Sequence, residues 1–458
     1  MRWIASFIAL GLMMALFHRF TGGGPVEARA TVALGLLLVA ATIGGDLARH
    51  LRLPRITGFV IVGFAAGPAW LGLVRADEIR ALGFVTDACI AALALAVGAA
   101  LPIERLRAHR ATLSRLTLGA VLIPFAAVAV VTLSVAPWFP LTVHQPLGDA
   151  VAVALVLGAF AAASSSLVAL ALIRESATAG GSGGGGGGSA FSSTILVFAA
   201  LQDMVSLVLL AVALAAGWVL ASPGALDVTV AGTALVRWGG SLAAGAALAA
   251  LLARSLRRFP RESLLLLLST ALVAAVVARQ LHLEVLVIAV AAGFTLRNGF
   301  VTEGGPLQVG IDAAVPVAAV VVFAQAGAAV DLGMVSALWP WIMLLAAVRI
   351  ATLRYGLRWA AGGRVPAVTP VMASAGWLTL IPQAGVALGV AGLARRAFPE
   401  WGVSLEGLVV AMIGVHLVVG PLCFRLGLRL AGEVSEEGHV AEDIGAPGPA
   451  IPADRSRL

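Results

Sequence analysis

Long apolar stretches, separated by short segments that carry charge, proline or glycine, run through nearly the whole chain. A helix that crosses the ~30 Å hydrocarbon core of a bilayer needs ~20 mostly apolar residues. Backbone exposed to lipid satisfies its hydrogen bonds internally only in helices and closed barrels. The pattern therefore predicts an all-α polytopic membrane protein with about fourteen transmembrane helices. Their approximate limits are 3–18, 30–48, 56–74, 82–101, 114–136, 150–173, 190–217, 231–253, 262–279, 283–299, 313–331, 337–358, 369–392 and 404–428.

Composition supports the membrane assignment. The 458 residues are 60% hydrophobic and 12% charged, against ~45–50% and ~25% in soluble domains. A water-soluble enzyme, a coiled coil and a disordered protein are therefore excluded for the chain as a whole. The net charge of +7 would suggest nucleic acid in a soluble chain. Here the basic residues lie between apolar stretches, so no nucleic-acid partner is expected.

All 30 basic residues are arginines, and their distribution predicts the topology. Counted over alternate connections, 19 lie on the side of the N-terminus and 8 on the other side. Cytoplasmic loops carry the excess of basic residues, so both termini are predicted to be cytoplasmic, in a cell inner membrane. Residues 1–430 form one transmembrane domain, in which 3–20 is an extra first span, and 431–458 are expected to be a short disordered cytoplasmic tail.

The run Gly183–Gly188 predicts a flexible linker on the cytoplasmic side. The alternative, a phosphate-binding loop, would require a preceding strand and a Gly-Lys-Ser/Thr ending, which are missing. No cofactor is expected, and the two cysteines lie far apart in apolar stretches.

Asp203, preceded by Gln202, lies in the middle of the 190–217 span. A charged side chain at this depth costs ~2.5–3.5 kcal/mol or more, and such residues usually mark ion pathways. Burial disfavours the ionised carboxylate and a neighbouring cation favours it. Asp203 is therefore a candidate site for a transported monovalent cation and for a proton. The alternative is a structural carboxylate tied to a neighbouring helix.

Arg349 lies well inside the 337–358 span. An arginine stays protonated in proteins, which favours a permanent positive partner in the protein interior over a proton carrier. The alternative is that its side chain reaches the cytoplasmic interface, where Arg354 and Arg358 follow one and two turns later. The sequence leaves both interpretations open.

Two spans contain helix-breaking segments. Residues 162–166 include Ser164, Ser165 and Ser166, and residues 379–385 include Thr379, Pro382 and Gln383. Proline removes a backbone donor and clashes with the preceding turn, and serines compete for backbone hydrogen bonds. One interrupted helix in each half of a transporter indicates an ion site near the bilayer midplane, although a simple kink and a packing face are the alternatives.

The positions of these interruptions predict inverted repeats. Span 150–173 would correspond to 369–392, and span 190–217 to 404–428. If the interrupted helices cross, like ends of half-helix dipoles meet there, and Asp203 and Arg349 would compensate those ends.

Four passages resemble the monovalent cation:proton antiporters, specifically the Kef-like branch of the sodium/hydrogen exchanger superfamily. They are LRLPRITGFVIVGFAAGPAWLGL, with Leu53-Pro54 and Gly67-Pro68; ALALAVGAALPIERLRAHR, with Gly98; the paired passages around Ser164–Ser166 and Gln202-Asp203; and WLTLIPQAGVALGVAGL. Together they run over most of residues 30–428.

The resemblance implies an elevator-like antiporter that exchanges Na⁺ or K⁺ for H⁺, with a mobile ion-carrying bundle beside a scaffold that forms a homodimer. It makes Asp203 the carboxylate that binds ion and proton, Gln202 its neighbour, and Ser164 to Ser166 the lining of the first unwound segment. Arg349 occupies the basic position in the helix before the second crossing.

The chain departs from the family in two respects. Electrogenic relatives carry two consecutive acids where this chain has Gln202-Asp203, so electroneutral one-for-one exchange is expected. Kef proteins carry a nucleotide-binding domain after the membrane part, whereas this chain has a short tail, so gating by such a ligand is not expected.

Three other functions have sequence requirements of their own. A sodium-coupled organic-anion symporter would need polar side chains from several spans, and few occur besides Gln325 and His416. An intramembrane hydrolase would need a His-Glu-x-x-His pair or a serine with a nearby histidine at depth, and His416 stands alone. A non-transporting membrane sensor would need an output domain, for which the tail is short.

Overall fold

The computed structural model describes Met13 and residues 25–108, 110–179, 190–221, 228–300, 305–362, 370–384 and 398–433. Within these ranges the chain forms helices and no β-strand, so the all-α prediction is confirmed. The first predicted span, the Gly183–Gly188 linker and residues 434–458 of the tail lie outside the described residues. The predictions for these segments, and the total of about fourteen spans, remain predictions.

The described helices follow the predicted spans in order. A π-helical turn, Leu118–Leu122, joins the helix that ends at Thr117 to the helix that begins at Ile123, and a 3₁₀ turn, Pro260–Glu262, precedes the helix that begins at Ser263. The helices are α1 Val26–His50, α2 Arg55–Ala66, α3 Ala76–Ala81, α4 Gly83–Ala99, α5 Ile103–Ala108, α6 Arg110–Thr117, α7 Ile123–Ser134, α8 Leu147–Ala162, α9 Ser166–Ala179, α10 Ala190–Ala221, α11 Val228–Arg258, α12 Ser263–Leu281, α13 Val285–Gly299, α14 Pro306–Ala328, α15 Leu332–Ala361, α16 Pro370–Thr379 and α17 Pro399–Leu430.

Length and composition make these helices suitable for a bilayer. Nine helical segments of the described residues are long and apolar enough to cross a membrane, and α2, α4 and α13 are shorter apolar helices.

The first residues of several helices have side chains that suit a helix N-terminus. Pro306 and Pro399 stand at the first turns of α14 and α17, where a missing N–H is tolerated. Asp331 caps α15 by accepting hydrogen bonds from the backbone N–H groups of Gly333 and Met334.

The helices pack as two bundles. The first bundle consists of α1, α2, α4 and α11 to α14, with the main contacts between α4 and α13, α11 and α13, and α2 and α14. The second bundle consists of α6 to α10 and α15 to α17, with the main contacts between α8 and α10, α7 and α8, and α16 and α17. The bundles meet where α17 packs on α2 and α9 packs on α4.

Small residues permit the closest helix contacts in the first bundle. Gly98 of α4 faces the backbone of Val290, and Gly293 of α13 faces the backbone of Leu95, so a Cβ at either glycine would overlap the neighbouring helix. Such close approach is how membrane helices gain packing energy. The correspondence of the two halves as inverted repeats remains a prediction.

Candidate functional site

The two predicted interruptions lie against each other in the second bundle. Residues 163–165 separate α8 from α9, and α16 ends at Thr379, before non-helical residues 381–384. The side chain of Gln383 crosses between them, because its Nε2 donates to the carbonyl oxygens of Phe160, at 2.7 Å, and Ala163, at 3.1 Å. The contact between the first interruption and the segment that follows α16 therefore agrees with the sequence prediction, while the predicted continuation of the second helix beyond residue 384 lies outside the described residues.

Arg349 lies at the centre of this crossing and is fully buried. Its Nε donates to the carbonyl of Ala161 at 3.1 Å and its Nη2 to the carbonyl of Ala163 at 2.8 Å. On the other segment, Nη2 and Nη1 donate to the carbonyls of Leu380, at 2.9 Å, and Ile381, at 3.0 Å. The guanidinium therefore donates hydrogen bonds to carbonyl oxygens at the C-terminal ends of α8 and α16, where helix dipoles favour positive charge. The alternative in which this side chain reaches the membrane interface is wrong.

Asp203 lies at a helix terminus of the opposite polarity, an N-terminus. It is 1% exposed, and its Oδ2 accepts hydrogen bonds from the backbone N–H of Ser166, at 3.1 Å, and from Ser166 Oγ, at 2.5 Å. Ser166 begins α9, so the carboxylate lies at the N-terminus of a half-helix, where negative charge is favoured. Its second oxygen, Oδ1, has no hydrogen-bond partner within the part of the chain that the structure describes.

Arg349 does not neutralise Asp203. The ion pairs found among the described residues involve other side chains, and the guanidinium is occupied by backbone carbonyls. Each charge therefore compensates its own helix ends, and the carboxylate is left with one oxygen that no cation of the described protein contacts.

Gln202 donates hydrogen bonds to backbone carbonyls of two neighbouring helical segments. Its Nε2 donates to the carbonyl of Ala162, at 2.8 Å, and to that of Ala120, at 3.2 Å. Ala120 lies in the π-helical turn, four residues before Pro124, which has no N–H to offer that carbonyl. The amide supplies a donor there, so Gln202 links the turn, the end of α8 and the helix of Asp203.

The remaining predicted residues differ in what they contact. Ser165 Oγ accepts from the backbone N–H of Val168, at 3.3 Å, as an N-cap does, whereas Ser164 Oγ is buried without a partner. The hydroxyl of Thr379 donates to the carbonyl of Gly376 in its own helix, so this side chain does not reach the other segment through that bond.

Pro382 packs on Gly420 of α17. A Cβ added at Gly420 would lie 2.8 Å from the Cα of Pro382.

In the described ranges, four buried acceptor oxygens around the crossing have no donor: Ser164 Oγ, Gln202 Oε1, Asp203 Oδ1 and Gln383 Oε1. Buried polar atoms are rarely left unpaired, and those that are often mark the place of an ion or a water molecule. Oxygens of this kind are the ligands of hard cations. Within the described residues, no group of three or more His, Cys, Asp or Glu that would hold a resident metal occurs.

Sequence reasoning missed the backbone carbonyls that complete the site. The acceptors of Arg349 belong to alanine, leucine and isoleucine residues, whose side chains give no polar signal. Gly385, the last residue of the predicted second interruption 379–385, lies outside the described residues.

Solved structures share this fold. The sodium proton antiporter MjNhaP1 from Methanocaldococcus jannaschii at pH 8 matches with a TM-score of 0.64 and 16% identity, over 89% of this chain and 100% of that one. An electron-microscopy structure of MjNhaP1 matches with a TM-score of 0.64 and 15% identity, over 88% and 97% of the two chains. At these identities the similarity establishes the fold.

Sequence comparison identifies the family. The Na(+)/H(+)-K(+) antiporter GerN of Bacillus cereus is 30% identical over 92 residues, which are 20% of this chain and 23% of that protein. The aligned part thus spans about a quarter of this relative. The family model described as "Sodium/hydrogen exchanger, transmembrane" matches residues 4–425. The chain is a polytopic membrane protein that belongs to the sodium/hydrogen exchanger family.

Proposed function

We propose that the protein exchanges a monovalent cation, Na⁺ or K⁺, for H⁺ across the membrane, and that both bind to Asp203. The observation that carries this proposal is a buried carboxylate whose Oδ1 has no hydrogen-bond partner among the described residues, beside the break between α8 and α9. Proton and cation would compete for the same oxygen, because each neutralises the same negative charge.

The neighbouring oxygens fit a partly dehydrated alkali cation. Ser164 Oγ, Gln202 Oε1 and Gln383 Oε1 are buried acceptors without donors, and they belong to the segments that meet beside Asp203. We therefore assign them, with Ser165 and Ser166 in the same unwound segment, to the lining of the ion site. The named activity of GerN includes both Na⁺ and K⁺, so both cations are candidates here.

Electroneutral one-for-one exchange is the stoichiometry that the charges favour. Asp203 is the acid of the Gln202-Asp203 pair, and the amide of Gln202 is engaged as a neutral donor to two carbonyls. One carboxylate holds one cation or one proton, so either loaded form carries the same net charge.

Alternating access in this proposal is elevator-like. The residues that build the site belong to α8, α9, α10, α15 and the segment after α16, all of which lie in the second bundle. Movement of that bundle along the first would carry the intact site between the two membrane faces. We further propose that the first bundle forms a homodimer interface, and that the protein lies in the inner membrane with both termini cytoplasmic. Membership of the Kef-like branch remains a prediction.

An organic-anion symporter is less well supported. A substrate carboxylate would need a basic partner, and Arg349 is engaged with four backbone carbonyls. The unpaired acceptor oxygens of Asp203 and of the residues at the crossing favour a cation instead.

The test is transport in proteoliposomes that contain a pH-sensitive dye. Addition of Na⁺, K⁺ or Li⁺ should dissipate an imposed pH gradient in the unaltered protein, and Asp203→Asn should abolish this exchange. Asp87→Asn is the matched control, because Asp87 pairs with Arg279 in the first bundle and lies away from the site. Exchange retained by Asp203→Asn would refute the assignment, and a rate that follows an imposed membrane potential would refute electroneutrality.

A further inference from the structure

Charged and polar contacts join the two bundles at the face that is predicted to be cytoplasmic. Arg174, near the end of α9 in the second bundle, pairs with Asp312 of α14 in the first, with 2.5 Å between Nη1 and Oδ1. Gln308 holds Asp312 in place by donating to the same oxygen at 2.9 Å. This ion pair links a half-helix of the ion site to the bundle beside it.

A second contact lies one residue further along α9. The backbone N–H of Arg55, the first residue of α2, donates to both carboxylate oxygens of Glu175, at 3.0 and 3.2 Å. Pro54, at the N-cap position of α2, has no side chain that could accept this bond. The acceptor that the helix start requires is therefore supplied from the opposite bundle.

A third contact comes from α17. Nη1 of Arg425 donates to the carbonyl of Arg52 at 2.7 Å. Arg52 adopts a left-handed backbone conformation, with φ of 60°, which ends α1 and directs the chain towards α2. Two helices of the second bundle are thus fastened to the loop between α1 and α2 and to α14 of the first bundle.

Three other ion pairs lie within or beside the first bundle. They are Arg29 with Asp77, Arg55 with Asp46 and Arg279 with Asp87. We propose that the contacts of Arg174, Glu175 and Arg425 form a cytoplasmic latch, which holds the bundles together in one end state of transport and opens when the ion site turns to that face.

The latch rests on the proposed exchange, and its chemistry suits a reversible contact. The side chains of Arg174 and Asp312 are 28% and 55% exposed, and an exposed ion pair contributes little to stability. Such contacts select a conformation and still break within a transport cycle. A covalent bond at the same place should stop the cycle.

The experiment uses the full chain with Cys89 and Cys423 replaced by serine, and with the substitutions Arg174→Cys and Asp312→Cys. A bifunctional methanethiosulfonate reagent links the two positions, and dithiothreitol releases them. We expect the cross-link to lower cation/proton exchange in proteoliposomes at least tenfold, with recovery after reduction. The control is the pair Asp87→Cys and Arg279→Cys, which joins two helices of the first bundle and should exchange equally well when linked.

Full exchange by the cross-linked Arg174→Cys and Asp312→Cys protein would overturn the latch, because these positions would then never separate. Failure of this pair to link, when the control pair links, would also overturn it. If this variant does not accumulate in membranes, Arg52→Cys with Arg425→Cys tests the same face by the same criteria. Reduced and unaltered proteins report the proposed function separately, since absence of exchange in both would contradict the antiport itself.

Discussion

Replacement of Arg349 by methionine should destabilise the protein by an amount that the structure allows us to bound. Methionine fills a similar volume but donates no hydrogen bond, so the carbonyls of Ala161, Leu380 and Ile381 lose their donor. The carbonyl of Ala163 loses one of its two donors and keeps the bond from Gln383. A buried acceptor left unpaired costs about 1–3 kcal/mol, which gives about 3–9 kcal/mol for three carbonyls.

Part of this loss is offset because the variant no longer buries a guanidinium, whose desolvation costs several kcal/mol. These two effects oppose each other, and we expect a net loss of about 3 kcal/mol or more for Arg349→Met, since three carbonyls are left unpaired. Arg349→Lys keeps a positive charge but presents fewer donors in a different geometry. Its free energy of unfolding should therefore lie between that of the unaltered protein and that of Arg349→Met.

The assay is reversible unfolding in mixed detergent and SDS micelles, supported by the melting temperature in detergent. Arg358→Met is the control, because Arg358 lies exposed near the end of the same helix, and exposed substitutions usually change stability by less than about 0.5 kcal/mol. A melting temperature for Arg349→Met equal to that of Arg358→Met would refute the view that this guanidinium holds the crossing together.

Three further predictions concern the site and its support. Gln202→Leu orphans the carbonyls of Ala120 and Ala162 and should cost about 2 kcal/mol or more in the same unfolding assay, whereas exposed Gln280→Leu should be nearly neutral. Gly293→Ala should lower the melting temperature because its Cβ would overlap α4, whereas Gly299→Ala, which has open space, should not; equal melting temperatures would contradict the close approach. Competition for one carboxylate predicts that the apparent KM for the cation rises up to about tenfold per unit fall in pH at acidic pH, and an apparent KM independent of pH would contradict it.

Charged residues at bilayer depth were the part of the site that the sequence predicts well. Asp203 and Arg349 stand out because each interrupts an apolar run in which an unpaired charge is costly. The serines and Pro382 indicate the two interruptions because they weaken helical hydrogen bonding. Apolar run lengths predict the order of the helices, and the described residues follow that order.

The partners of these residues were beyond the sequence. Arg349 had two equally supported interpretations, and the choice depends on carbonyls of apolar residues, which carry no side-chain signal. Asp312 and Glu175 gave no signal either, because charges near the ends of spans are ordinary and their distant partners lie on other helices. Thr379 has the polar type expected at the crossing, but its hydroxyl bonds to its own helix.

The separation of Arg349 from Asp203 affects how readily the proposed carrier would let ions pass without exchange. In the proposed carrier, a resident arginine paired with the acid would let the empty site travel as a neutral unit, and ions would run downhill without exchange. Here the guanidinium is committed to backbone carbonyls and the acid keeps an open oxygen. An unloaded carboxylate would then have to cross the membrane interior as an uncompensated charge, which is costly. The empty carrier should therefore rarely change sides, and the flux of the cation stays coupled to the flux of protons because Arg349 does not pair with Asp203.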